Sequence, residues 1–197
     1  AVARALPIGQ FWFNGQAAAG NEHKELLRLW GERRAAVPAW PAVVREGPLQ
    51  ARVLWPTGTG WPYQADRGHN DNSLVIEIAV GAARMLLSGD IEAPAEGDLV
   101  RSGHLRPVDV IKVPHHGSHT SSTPALLGAL QPRIAGAQAR PWGQLAFPHG
   151  DVRARYRLAS IGLWSTADGA VTVTLQPACV TVRQGARYAS WKPLGER

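Results

Sequence analysis

The sequence predicts one α/β domain, and three observations carry that prediction. Strand-like apolar runs alternate with helical segments between residues 73 and 160, the pattern of helices layered on a sheet. Two or three further alternating runs close the chain, Ala170–Leu175 and Cys179–Gln184 among them. The 197 residues, 45% hydrophobic and 18% charged, are one domain's worth and enough to bury a core. Two sheets between helix layers and a doubly wound sheet both satisfy this pattern. Periodicity does not separate them.

In chain order, Ile8–Gly15 (IGQFWFNG) reads as a short strand ending in a turn. Asn21 is placed to cap a helix running to about Ala36, with Leu26, Leu27 and Trp30 on one face. A Pro- and Trp-rich stretch follows from Pro38 to Pro62, with a brief strand at Ala51–Trp55. Its tryptophans are expected to pack beneath a long loop rather than to stack on nucleobases. Ser73–Val80 and Arg84–Ser88 flank a turn centred on Gly81, which predicts a hairpin. Val108–Val113 is a further apolar strand that stops at Pro114. Thr123 then caps a helix with Pro124 at its first position, ending before Pro132. Arg133–Ala139 is a strand, and Asp151–Ser160 a helix with Arg153, Arg155 and Arg157 largely outward.

Composition narrows the function. No apolar run approaches the roughly 20 residues of a membrane span, and the hydrophobic content excludes a disordered tail. A single cysteine, Cys179, excludes an internal disulfide framework and a zinc cage made of cysteines alone. Basic residues exceed acidic ones by 21 − 15 = 6, unevenly. Residues 1–100 carry 9 − 11 = −2, and residues 101–197 carry 12 − 4 = +8. A basic half suits a polyanionic partner. The chain opens on Ala1 with no signal-peptide pattern, and is read as a piece of something longer.

Side chains with metal or acid–base potential fall where strands stop. Asp90 follows the apolar run MLLSG, so its carboxylate is expected at the sheet's carboxyl edge. His115 and His116 follow IKVP in the same way. A carboxylate and an imidazole meeting at one edge are the ligand types that hold zinc or manganese. Gly117 and Ser118 add backbone and hydroxyl donors suited to an oxyanion.

Four runs then resemble a known family in letters, order and spacing: Asn70-Asp71-Asn72-Ser73-Leu74-Val75, Leu86-Leu87-Ser88-Gly89-Asp90-Ile91-Glu92, Asp109 through Ser118, and Thr120-Ser121-Ser122. The likeness is to the metallo-β-lactamase-like domain of the bacterial ComEC-type DNA-uptake competence proteins. It spans essentially all of residues 1–197 as a single domain and is strongest over 70–123. The resemblance implies an αββα sandwich lacking its N-terminal part, with two divalent metal ions, zinc or manganese, at one edge. Asp90 then matches the bridging aspartate, and His115 or His116 the late histidine ligand, with His116 favoured. His69 matches a third-motif histidine. His149 matches the second histidine of a His-Pro-His pattern whose first position here is Phe147. An early His-x-x-x-Asp-His motif is absent between Ala1 and Arg197. The remaining ligands are too few for a dinuclear centre, so weak metal binding and catalytic silence are expected of this chain alone.

The implied function is part of a metal-dependent phosphodiesterase acting on DNA during uptake. Asp90 would bridge the ions, Ser118 would hold the scissile phosphate, and Lys112, Arg153, Arg155 and Arg157 would track the backbone. The expected partners are single- or double-stranded DNA and the membrane-channel portion of the same protein, with no nucleotide cofactor. The expected setting is a soluble domain of an inner-membrane protein. A non-catalytic DNA-guiding or assembly module of the same fold is the alternative, favoured by Phe147 and the missing motif.

Overall fold

Seven strands pair in strict chain order to form the main sheet of the computed structural model, which describes residues 5, 11–16, 20–31, 34–36, 43–57, 63–139 and 147–196. They are β3 (Val43–Glu46), β4 (Leu49–Trp55), β5 (Val75–Val80), β6 (Ala83–Leu87), β7 (Val110–Lys112), β8 (Ile134–Ala137) and β9 (Gly162–Ser165). From β3 to β6 neighbours run antiparallel, and from β6 to β9 parallel. Parallel pairing needs crossovers. Three helices supply them: α2 (Ala93–Arg101), α3 (Pro124–Leu130) and α4 (Gly150–Leu158). The carboxyl ends of β6, β7 and β8 therefore open on one edge of the sheet, where crevices form in open α/β sheets.

The strands alternate at period two between two cores. Leu86, Ile111 and Ala135 face the helices, packing with Ile91, Leu99 and Tyr156. Ala83, Val110 and Ile134 face the other way, onto Val180 and Val182. Those two valines belong to a second, antiparallel sheet of β10 (Thr172–Gln176), β11 (Cys179–Gln184) and β12 (Arg187–Trp191). Helices, large sheet and small sheet thus form stacked layers, and of the two expected architectures the two-sheet one is realised. Buried Asp109 ties the layers, accepting from the backbone N–H groups of Arg84 and Leu194 and from Trp191 Nε1. Burying each leucine or isoleucine of these cores contributes about 1.5–3 kcal/mol.

Some boundaries differ from expectation, for local reasons. The first strand is β1 (Phe11–Phe13), and Ile8 lies outside the described residues. The helix expected to reach Ala36 is α1 (Asn21–Trp30), which Gly20 rather than Asn21 caps. It ends at Gly31, which has φ 34°, and Arg34–Ala36 becomes β2, paired in parallel with β1. Good helix formers are overridden there by strand pairing. The hairpin about Gly81 is present, and Thr123 Oγ1 caps α3 by accepting from Leu126 N. The run 108–113 narrows to β7 because the Val108 and Asp109 N–H groups turn to Leu130 O and Arg84 O. Helix α2 was not foreseen. Among the described residues no helix is long and apolar enough to cross a membrane.

Candidate functional site

Strand β6 leaves the sheet through Ser88, whose hydroxyl donates to Lys112 O at 2.7 Å and fastens β6 to β7. Gly89 follows at φ 56°, and a Cβ there would meet the Ser73 side chain at 2.5 Å. Only glycine fits this turn. It delivers Asp90, whose backbone N–H donates to Ser73 Oγ at 3.0 Å. The Asp90 carboxylate then divides its two oxygens. Oδ1 accepts from Lys112 Nζ at 2.9 Å, and Oδ2 lies 3.6 Å from His116 Nε2. Burial opposes ionisation of this carboxyl, but the hydrogen bond and charge of Lys112, helped by the two imidazoles, outweigh it and hold it below its ordinary range.

The histidines ride on a strained turn. His115 and His116 both have positive φ, 44° and 57°, and Gly117 follows at 89°. A non-glycine residue in this region costs about 1–3 kcal/mol, so the surroundings must enforce it. They do so from three sides. Ser121 Oγ closes the loop by donating to Pro114 O and Ser118 O, both at 2.9 Å. Pro148 packs where a Gly117 Cβ would be, and His149 N donates to Gly117 O. Behind the loop, fully buried Glu96 of α2 accepts from Ser122 N at 2.6 Å and Thr123 N at 2.7 Å. Burial raises the Glu96 carboxyl above its ordinary range, against the lowering by these hydrogen bonds.

The scaffold orients His116. Its Nδ1 lies 2.8 Å from Gln138 O, a carbonyl that can only accept, so Nδ1 donates there. Nε2 faces Asp90 Oδ2. An imidazole held through Nδ1 by a backbone carbonyl is oriented as metal-binding histidines are. His115 points elsewhere. Its Nδ1 is 2.9 Å from Glu92 Oε1 but off the line of a hydrogen bond, and Asn70 Nδ2 bridges Glu92 and His115 at 3.0 and 3.4 Å. Asp71 Oδ1 holds the Glu92 backbone N–H at 2.8 Å. Asn70, Asp71 and Glu92 were quoted in the motifs but given no role. Their contacts span more than 20 residues of chain, so spacing alone could not reveal them.

The other expected residues fall in different places. Lys112 does not reach outward for a DNA backbone; its ammonium is spent on Asp90 Oδ1 and Gly89 O. Arg155 is not outward either. It donates to Ser121 O and His119 O and pairs with Asp151, bracing the histidine loop. Arg153 and Arg157 are exposed. Ser118 is buried, its hydroxyl 3.0 Å from Thr120 Oγ1 and its N–H donating to His115 O. His69 is engaged by Gln16 and Tyr63. His149 is brought beside the loop through its backbone, its ring lying between Phe147 and His119. Trp142 and the rest of segment 140–146 lie outside the described residues. An apolar groove of about 440 Å³ between α3 and α4 shares only Arg155 with these groups.

Among the described residues no three His, Cys, Asp or Glu side chains converge as metal ligands. Asp90 Oδ2 and His116 Nε2 supply two donors of the right chemistry, whereas zinc takes four. The described residues therefore do not by themselves fit a complete metal centre.

With this geometry in hand, comparison with known proteins gives a consistent family likeness. No model of a known protein family matches the sequence. The uncharacterized protein YcaI of Escherichia coli is 38% identical over 101 residues, covering 50% of this chain and 13% of that protein. Recombination protein 2 of Haemophilus influenzae is 32% identical over 127 residues, covering 64% of this chain and 16% of that protein. Competence protein ComA of Neisseria gonorrhoeae is 33% identical over 98 residues, covering 49% and 14%. The chain thus spans only 13–16% of the length of these relatives. A structure described as that of a metal-dependent hydrolase from Parabacteroides distasonis overlays with a TM-score of 0.46 at 13% identity, covering 76% of this chain and 63% of that one. The competence-protein likeness read from the motifs is borne out: the chain is a relative of those proteins.

Proposed function

We propose that this chain is part of a hydrolase domain that cleaves the phosphodiester backbone of DNA during competence-type uptake, attached to the membrane-channel portion of the same protein. The observation that carries the reading is the 3.6 Å approach of Asp90 Oδ2 to His116 Nε2 at the carboxyl ends of β6 and β7, with the imidazole oriented through Nδ1 by Gln138 O. The likeness to proteins named for recombination and competence supports DNA as the substrate class, and exposed Arg153 and Arg157 on α4 offer cations for a phosphate backbone. Divalent zinc or manganese belongs to this reading as the cofactor of the complete centre, with donors beyond the two found here.

The test is a DNA-cleavage assay on the full protein that carries this chain, supplemented with manganese or zinc. Removing even an outer partner of a metal ligand costs about 10–100-fold, so Asp90→Ala and His116→Ala are expected to lose at least 100-fold. Unchanged cleavage in either variant would sink the catalytic assignment. A second reading is a DNA-guiding module without catalysis. It is favoured by the two-donor set and by Lys112 occupying Asp90 Oδ1. It predicts DNA binding by the full protein with no cleavage in any metal.

A further inference from the structure

We propose that Arg52, Arg84 and Arg106 form a binding site for a terminal phosphate group, inorganic phosphate or a phosphomonoester, on the helix-facing side of the main sheet. The site is separate from the Asp90–His116 pair and does not depend on the DNA reading above.

Strand register assembles the three. Arg52 stands across from Glu77, Glu77 across from Leu86, and Ala79 across from Arg84. Side chains directly across a pair share a face, and so do residues two apart in one strand. Arg52, Glu77, Ala79 and Arg84 therefore lie on the face that Leu86 turns to the helices. Arg106 reaches the same face from the segment between α2 and β7, with its guanidinium on Glu77. Arg84 sits near the amino end of β6, whereas Asp90 follows its carboxyl end, so roughly 15–20 Å of strand separates the two places.

Carboxylates do not match these cations. Glu77, 2% exposed, already accepts from Arg52 Nη2 at 3.1 Å and from both Nε and Nη2 of Arg106. The Arg84 guanidinium meets no carboxylate among the described residues; its Nη1 approaches the Ala82 carbonyl at 3.4 Å. Asp109, beside Arg84 across the β6–β7 pair, turns its carboxylate to Trp191, to Leu194 N and to the Arg84 backbone N–H. Two donors are left over. Arg52 Nε and Arg84 Nε are both buried and find no acceptor among the described residues. Buried donors are nearly always matched in folded chains, so two orphans on one face mark a place for an acceptor. Burial, then the charges of Arg106 and Arg84, hold the Arg52 guanidinium below its ordinary range against the pull of Glu77, and an anion would relieve all three.

The chemistry of the donors selects the ligand. Guanidinium forks fit oxyanions, and three forks around one carboxylate leave positive charge in excess. A terminal phosphate brings about −1.5 to −2 charges at pH 7 and three strong acceptor oxygens, enough for several forks at once. A phosphodiester brings less charge and fewer free oxygens. Arg106, with 47% of its side chain exposed, stands at the entrance, and Arg52, with 15%, at the floor.

The experiment is a calorimetric titration of the chain with inorganic phosphate, in chelator and at constant ionic strength, repeated with glycerol phosphate and dimethyl phosphate. Saturable binding of one phosphate per chain is expected, with glycerol phosphate comparable and dimethyl phosphate roughly tenfold or more weaker. Arg84→Gln and Arg106→Gln are each expected to lose roughly tenfold or more in phosphate affinity. Arg84→Lys, which keeps the charge but not the fork, should fall between parent and Arg84→Gln. Should Arg84→Gln fail to fold, Arg106→Gln carries the test from an exposed position. His116→Ala is expected to bind phosphate as the parent does. Parent-level binding in Arg106→Gln, or equal affinity for dimethyl phosphate, overturns the site. Binding lost in His116→Ala would move the phosphate to the Asp90–His116 edge and overturn it as well. A parent chain that shows no saturable phosphate binding overturns the site and leaves the DNA reading intact, because that reading stands on cleavage through Asp90 and His116.

Discussion

Two carboxylates, Asp90 and Glu96, lie only six residues apart and act on the same loop from opposite sides. Asp90 meets His116 at the front, is 38% exposed, and is neutralised by the Lys112 ammonium. Glu96 holds Ser122 and Thr123 from behind, has no exposed surface, and meets backbone N–H groups rather than a cation. Their carboxyls are accordingly pushed in opposite directions, Asp90 down and Glu96 up. The contrast separates two jobs. A carboxylate left open beside an imidazole is available to a ligand, whereas a sealed one maintains the backbone that presents the imidazole.

The sharpest way to break this comparison is to remove the rear clamp. Glu96→Ala would leave the buried Ser122 N–H and the half-buried Thr123 N–H unpaired, each worth about 1–3 kcal/mol, at the neck of a loop already strained at His115 and His116. A destabilisation of about 2–5 kcal/mol is expected in urea unfolding; a loss under about 1 kcal/mol would mean that the loop holds itself. Tyr156→Phe is a milder cut at the same place. It removes the phenol that lies 3.0 Å from Ser122 Oγ in the buried interior and should cost about 0.5–1.5 kcal/mol. Asp90→Asn should cost least. Its partner pairs are partly solvated, so a change below about 1 kcal/mol is expected in the same unfolding experiment. Were Asp90→Asn to cost more than Glu96→Ala, the division of labour would be reversed.

The front of this arrangement was more legible in the sequence than the back. Asp90 and the histidine pair each follow an apolar strand, which puts each at a strand end; the parallel pairing of β6 and β7 is what brings those ends to one edge. The Thr123-Pro124 start of α3 is a local signal and is where it was expected. Helix α2 carries a start signal too, Pro94 and Glu96 in its first turn, but Gly97 and Asp98 interrupt its apolar face and it is secured by tertiary contacts of Glu96. Lys112 and Arg155 look like solvent-facing cations in one dimension. Their partners lie 22 residues away at Asp90 and 34 residues away at Ser121, and only the folded chain brings them together.

The pH dependence of stability sharpens the comparison at its smallest scale, because the two carboxylates contribute with opposite sign. Asp90 titrates below its ordinary value of 3.8 in the folded chain, so its stabilisation is complete above that value and is lost as pH falls through the folded one. Glu96 titrates above its ordinary value of 4.5, so the folded chain keeps a proton that the unfolded chain releases. Its contribution is greatest below 4.5 and declines as pH rises through the raised value. Urea midpoints measured across this acid range should therefore fall on both sides of a shallow maximum, through these two groups acting in turn. Asp90→Asn should flatten the low-pH limb, the weaker of the two because salt and solvent screen an open pair. Glu96→Gln should flatten the other. A low-pH limb that persists unchanged in Asp90→Asn would assign it to some other carboxylate and leave the front of the loop without the charge coupling to Lys112 on which its open geometry depends.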